Sequence, residues 1–298
     1  LRQLILYTVA LWSFLIIPSV VNSQDLPEKT QHFPRERSMD VQHYRIAIEP
    51  DFDAKTIVGE TQVSLTPLVD GLKTVELGVE DLDIDEITLK PGPGKESYPV
   101  TWTTEGEKLF INLDGAFSPD DNLQLAITYR AKPGTGLFFI GPNEHRPDDP
   151  MVLWSQGEDE DNHAWFPCYD FPNDKATSEV LCTVPKDYLV VSNGKLVGEK
   201  PKGDKKIVHW KQEKPHVSYL ITMVAGELSK VDMGKVRGVP LSLYAVPGKE
   251  EQVRNAFETT GECLEFFEDY IGYKYAWEKY AQVAVPEFIF GGMENTSA

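Results

Sequence analysis

YRIAIEP, residues 44–50, sets Tyr44, Ile46 and Ile48 on one side of an extended chain. That period of two belongs to a half-buried β-strand. Two further stretches repeat it: TQVSLTPL, residues 61–68, alternates Val63 and Leu65, and NLQLAITYR, residues 122–130, alternates Leu123, Leu125, Ile127 and Tyr129. Turn signals stand between them at Asp70-Gly71, KPGPGK (90–95) and Asp114-Gly115. Short strands at regular spacing, with little helical period, predict an antiparallel β-sandwich or a saddle of sheets.

The pattern continues past the middle of the chain. YLVVSNGKLVGE, residues 188–199, reads as a hairpin whose strands are joined by Asn193-Gly194, the pair suited to a type I′ turn. KKIVHWKQ (205–212) and VSYLITMVAGEL (217–228) supply two more strands. Near Gly248 the period changes. From Glu250 to Ile271, residues Val253, Ala256, Phe257, Thr260, Leu264, Phe267 and Ile271 recur at three and four, the stripe of an amphipathic helix, with Gly272 placed to end it. The strand YAQVAVPEFIF (280–290) then runs into GGMEN (291–295), which puts that segment on an edge strand or the loop after it. There is no internal repeat and no low-complexity tract.

With 298 residues, 41% of them hydrophobic, the chain has material for a sizeable core and room for two domains. Its 47 acidic against 29 basic residues give a formal net charge of −18, which disfavours nucleic acid as a partner. Residues 1–23 pair one early cation, Arg2, with an apolar core from Leu4 to Ile17, a break at Pro18 and small residues up to Ser23. This is the layout of a signal peptide cleaved after Ser23, with an uncleaved signal anchor as the alternative. Residues 24–40 are polar with two prolines and read as a linker. After signal removal no stretch is long and apolar enough to span a bilayer. Cys168, Cys182 and Cys263 make neither a disulfide framework nor a zinc cluster, and are expected to be buried, inert thiols.

No histidine precedes a glutamate and no two histidines stand four apart, so the helical zinc pair of a metalloprotease is absent from these residues. Neither a nucleophile elbow nor a phosphate-binding glycine loop is present. Two segments stand out: GGMEN, with its single carboxylate Glu294, and WSQGEDEDNHAWFPCYDFPNDKATSEV, residues 154–180. Glycines beside a carboxylate permit close approach to a ligand, and equally serve simply to end a strand. Glu158 opens an acidic run with Asp159, Glu160 and Asp161, a pattern common in solvated loops and without EF-hand spacing.

VAVPEFIFGGMEN, residues 283–295, resembles the G-x-M-E-N exopeptidase signature of the M1, gluzincin-type zinc aminopeptidases. Gln156, Glu158, Pro167, Cys168, Asp170, Pro172, Lys175 and Ala176 match the same family's Q-x-E … PC-x-D-x-P … KA stretch, and residues 219–228 and 266–280 resemble its flanking segments in order. The resemblance covers roughly residues 40–295. It implies a mainly β fold: a sandwich or saddle domain over 41–236, then over 237–298 the first strand and helix elements of a truncated thermolysin-like α+β catalytic domain.

The resemblance also implies roles. Gly291, Gly292 and Met293 would offer main-chain groups to an extended peptide, with Asn295 completing the motif. Glu294 and Glu158 would bind the substrate's free α-ammonium, and Gln156 would line the pocket of its first side chain. Physical chemistry agrees, because two fixed carboxylates reward the one charge that distinguishes a chain end from a chain middle. Asp170, Pro172 and Lys175 are read as structural. Asn295-Thr296-Ser297 fits a glycosylation acceptor, but a glycan there would block the site. Gly292 stands where alanine is common, and Thr296 where many members carry an aromatic residue. The catalytic groups and the zinc ligands are expected beyond residue 298, with none within the chain. The expected function is therefore the N-terminal part of an exported zinc aminopeptidase acting on peptides with a free amino terminus. The alternative is a non-catalytic peptide-binding module, should the natural chain end at Ala298; a related hydrolase of the same superfamily remains a third.

Overall fold

The computed structural model describes residues 35–298. The expected signal peptide and most of the linker lie outside the described residues. Eighteen strands are present among those described. The first nine are β1 (Met39–Asp51), β2 (Thr56–Pro67), β3 (Leu72–Gly78), β4 (Leu82–Lys90), β5 (Tyr98–Pro99), β6 (Trp102–Glu105), β7 (Lys108–Phe117), β8 (Leu123–Ala131) and β9 (Leu137–Ile140). Then follow β10 (Val152–Ser155), β11 (Ala176–Pro185), β12 (Leu189–Ser192), β13 (Lys195–Lys202), β14 (Lys205–His216), β15 (Met223–Gly226), β16 (Ser229–Val236) and β17 (Val239–Ala245). Two helices, α1 (Glu250–Ala256) and α2 (Thr260–Ile271), precede β18 (Tyr280–Val283). The fold is mainly β, as the alternation predicts.

The largest sheet has eight strands in the order β13-β14-β11-β1-β2-β8-β4-β5. Its centre is the opening stretch of the sequence: Tyr44, Ile46 and Ile48 of β1, Val63 and Leu65 of β2, and Leu123, Leu125, Ile127 and Tyr129 of β8 are all buried. One residue in two faces the core because side chains alternate across the pleat. A smaller sheet, β3-β7-β6, contributes Val75, Leu77, Leu109 and Ile111 to the same core. A four-stranded sheet, β12-β15-β10-β9, and a three-stranded one, β16-β17-β18, follow. Pairing is antiparallel except for β1 with β11 and β17 with β18. β11 and β18 each return from long excursions, which is the connection a parallel partner requires.

Several sequence expectations are corrected. Asn193-Gly194 does not close a hairpin: β12 pairs with β15 in one sheet while β13 pairs with β14 in another. The dipeptide carries the chain between sheets. Gly194 adopts φ 72° and passes so close to β14 that a Cβ would sit 1.9 Å from Lys211 O. Glycine is thus demanded by an inter-sheet crossing, and the local pattern is the same as that of a tight turn. Asp114-Gly115 lies inside β7, where the register with β3 shifts, so it is a bulge and no turn. Ser218–Leu220 forms a short 3-10 turn, which leaves the strand predicted over 217–228 only Met223–Gly226.

The single helix predicted over 250–271 is broken at Phe257–Thr259. Thr259 and Thr260 are weak helix formers, and the Thr260 hydroxyl donates to Gln282 Oε1 on β18 at 2.8 Å. Gly272 ends α2 as expected, its N–H donating to Glu268 O at 2.9 Å. The α2 stripe is not buried: Phe266, Phe267, Tyr270 and Ile271 are exposed. Cys168 and Cys182 are buried free thiols whose pKa is raised by burial, but Cys263 is exposed. The strand read over 280–290 stops at Val283, because Pro286 has no N–H for a ladder and its carbonyl is taken by a side chain described below.

Candidate functional site

The segment 286–290 is bound to the four-stranded sheet through Trp154 of β10. Its indole N–H donates to Pro286 O at 3.1 Å, and its ring meets Phe288 edge-on at 5.4 Å while stacking on Phe138 at 4.4 Å. This aromatic group, with Val152, Val224 and Leu228, makes a cluster separate from the main core. Arg146 pairs with Glu287 at its rim. Beyond Phe290 the chain enters Gly291–Asn295, the loop that follows edge strand β18.

That loop forms one wall of a cleft of about 610 Å³. Gly291, Gly292, Met293, Glu294 and Asn295 all line it, facing Trp154, Leu220, Thr222, Tyr275 and Trp277. Glu294 is solvent-exposed and Met293 half-buried. Glu294 is the one acidic residue in the lining, so a mostly apolar, aromatic cleft carries a single fixed negative charge.

The other candidates come from the loop after β10. Gln156 is 3% exposed; its N–H donates to Gly136 O, and its buried Oε1 has no partner. Glu158 is exposed. Neither residue lines the cleft that holds Glu294. Gly157 between them is packed hard against the 3-10 turn: a Cβ there would lie 2.6 Å from Tyr219 O and 2.7 Å from Asn162 Cγ. Close packing at Gly157 fixes Glu158 beside Tyr219.

Tyr219 is where the two carboxylates meet electrostatically. Burial raises the pKa of its phenol first, and the negative charges of Glu294 and then Glu158 raise it further. Two acidic side chains far apart in sequence therefore act on one hydroxyl. Sequence reasoning gave Tyr219 no role, although it opens the 219–228 segment that resembles the family.

The buried polar groups underneath are structural. Asp170 Oδ2 accepts from the His163 N–H at 3.1 Å and lies 3.2 Å from His163 Nδ1, while Asp170 Oδ1 accepts from Ser218 Oγ at 2.8 Å. Asn162 Nδ2 donates to Ser218 O and Ile221 O at 2.6 and 3.0 Å, and its Oδ1 accepts from the Trp165 indole. This lattice holds the Ser218–Leu220 turn on which Tyr219 stands. Asp174 plays a similar part, accepting from Val41 N at 3.0 Å and pairing with Arg37.

The residues after Glu294 are tied to the inter-sheet crossing. Asn193 Nδ2 donates to Thr296 O at 2.7 Å and to Leu220 O at 2.9 Å, and Asn193 Oδ1 accepts from Thr222 N at 2.8 Å. Gly194 N donates to Ser297 Oγ at 2.8 Å. Thr296 and Ser297 are buried, a setting at odds with a glycan on Asn295.

Among the described residues no group of three or more His, Cys, Asp or Glu is arranged to hold a metal ion. The residues present do not fit a zinc centre. No described helix is long and apolar enough to cross a membrane.

Together the fold and the loop define a β-sheet protein that presents a carboxylate at the mouth of an aromatic cleft. The sequence profile of the peptidase M1 N-terminal domain matches residues 40–220, and that of the peptidase family M1 domain matches residues 255–298. The chain belongs to peptidase family M1. It is 34% identical over 250 residues to Probable aminopeptidase 2 of Sulfurisphaera tokodaii, covering 83% of this chain and 30% of that protein. It is 30% identical over 264 residues to Aminopeptidase 2, mitochondrial, of Saccharomyces cerevisiae, covering 85% and 27%. Aminopeptidase M1 of Arabidopsis thaliana is 27% identical over 259 residues, covering 85% and 29%. The chain thus spans under a third of the length of these curated relatives.

Proposed function

We propose that this chain is the amine-recognising part of a zinc-dependent aminopeptidase that removes amino-terminal residues from peptides. Its boundaries follow the sequence: a β domain over 41–236 and the start of the catalytic domain over 237–298. Glu158 and Glu294 anchor the substrate's α-ammonium, while Gly291, Gly292 and Met293 offer main-chain groups to the peptide. Asn295 closes the loop, and Gln156, whose buried Oε1 has no partner, lines the pocket of the first side chain. The observation that carries this reading is that Gly291–Asn295 line an aromatic cleft whose one acidic side chain is Glu294.

The selectivity follows from charge. An ammonium between two carboxylates gains charge-assisted hydrogen bonds, each worth about 1.5–3 kcal/mol. An internal peptide N–H brings no charge and leaves both carboxylates unmatched. Peptidases of this family are generally zinc-dependent, but the described residues hold no zinc ligands. Export is read from residues 1–23 alone.

The test is hydrolysis of leucine p-nitroanilide by the full-length product of the gene. The reading expects activity that a zinc chelator removes and that Glu294→Ala cripples, with N-acetyl-leucine p-nitroanilide left uncut. Equal cleavage of the acetylated compound would remove the amine anchor from the account.

A further inference from the structure

Lys279 has no part in the amine site, yet all three protons of its ammonium are engaged. It donates to Ser192 O at 2.8 Å, to Ser297 O at 2.8 Å and to Ser297 Oγ at 3.3 Å. It also lies over the Trp210 ring at 5.0 Å from the centroid. Ser192 ends β12 and Trp210 belongs to β14, whereas Ser297 stands just beyond Glu294. One side chain therefore joins two sheets of the β portion to the end of the motif loop.

The loop is held from that side. Before Glu294 come Gly291 and Gly292, and a Cβ added at either would find nothing within 4 Å. Ile289 and Phe290 are 85% and 51% exposed. After Glu294 the backbone is fixed: Thr296 O by Asn193, Ser297 O by Lys279 and by the Ala281 N–H at 3.1 Å. Each residue of extended chain spans at most about 3.6 Å, so a fixed Thr296, two residues on, keeps the Cα of Glu294 within about 7 Å of it.

We propose that Lys279 is a positioning residue for Glu294, its ammonium fastening Ser297, and with it the motif loop, to Ser192 at the inter-sheet crossing. The proposal rests on the reading of Glu294 as an amine anchor, although the fastening can be measured without it. Burial pushes the Lys279 ammonium down to about 7, with Glu278 opposing that shift and Lys230 adding to it. Tyr275 is also in contact, its hydroxyl donating to Lys279 O at 3.1 Å. A neutral amine has two protons for three acceptors, so the fastening loosens as pH rises through about 7.

The test compares the full-length protein, stripped of zinc, with its Lys279→Met and Lys279→Arg variants. Amide hydrogen exchange is followed at Gly194 and Ala281, whose N–H groups bond to Ser297, and each protein is titrated with leucine amide near pH 6 and pH 8. Protection at these two amides should fall about tenfold or more in Lys279→Met and recover in part in Lys279→Arg. The wild type should lose protection between the two pH values, and Lys279→Met should show no such pH dependence. Leucine amide should bind Lys279→Met several-fold more weakly. Lys279→Gln, which keeps a polar donor without the ammonium and its three protons, covers the case in which Lys279→Met does not fold. Unchanged protection in Lys279→Met or, if it does not fold, in Lys279→Gln overturns the proposal. Loosened amides in a wild-type background that never binds leucine amide would instead overturn the amine reading and spare the fastening.

Discussion

The side-chain amide of Asn193 donates to the main-chain carbonyl of Thr296 at 2.7 Å, across 103 positions of sequence. It ties the crossing between two β-sheets to the loop that carries Glu294. Because the same side chain also serves Leu220 O and Thr222 N, one residue sets the distance between the Tyr219 turn and the motif loop.

Asn193→Ala strips three backbone groups of their partner, Thr296 O and Thr222 N buried and Leu220 O partly so. Each unsatisfied group costs about 1–3 kcal/mol, less where water enters. Urea denaturation should show a loss of roughly 2–4 kcal/mol, and Asn193→Asp, which keeps the Thr222 acceptor but aims a carboxylate oxygen at two carbonyl oxygens, should cost at least as much.

Trp154 separates packing from hydrogen bonding at the root of the loop. Trp154→Phe removes the donor to Pro286 O while keeping an aromatic ring against Phe288, and should cost about 1 kcal/mol. Trp154→Ala should cost about 3–5 kcal/mol and quench order in residues 286–295, read by exchange of their amides.

His216 predicts an acid-sensitive window. It is buried beside Ser178 Oγ at 2.9 Å, and burial lowers its pKa to about 4 against 6.5 in the unfolded chain. The unfolded state then binds more protons between these values, so stability falls as pH drops from about 6.5 to about 4. The loss amounts to roughly 3 kcal/mol, and it should be absent from the pH profile of His216→Gln.

Much of the β portion was legible in the sequence, because Tyr44, Ile46, Ile48, Val63, Leu65 and the β8 stripe obey a period of two that only a half-buried sheet imposes. What misled was chemistry that two structures share. Asn193-Gly194 suits both a type I′ turn and a close crossing, and only the pairing of β12 with β15 separates them. The α2 stripe has helical period but no buried residue, since periodicity reports a face and not what covers it. In the site, GGMEN and the Gln156–Glu158 stretch stood out as motifs. Tyr219, Asn193 and Lys279 did not, because their importance comes from partners distant along the chain. The single carboxylate in the cleft, Glu294, and the exposed Glu158 could be named from sequence only through a family likeness.

The central claim is that Glu158 and Glu294 bind one ammonium. Calorimetric titration of the full-length protein, stripped of zinc, with leucine amide and N-acetyl-leucine amide tests it most directly. The account predicts that only the free amine binds, and that Glu158→Gln and Glu294→Gln each weaken it by roughly tenfold or more, about 1.4 kcal/mol per factor of ten. Equal affinity for the acetylated compound, or unchanged binding in both variants, would contradict it.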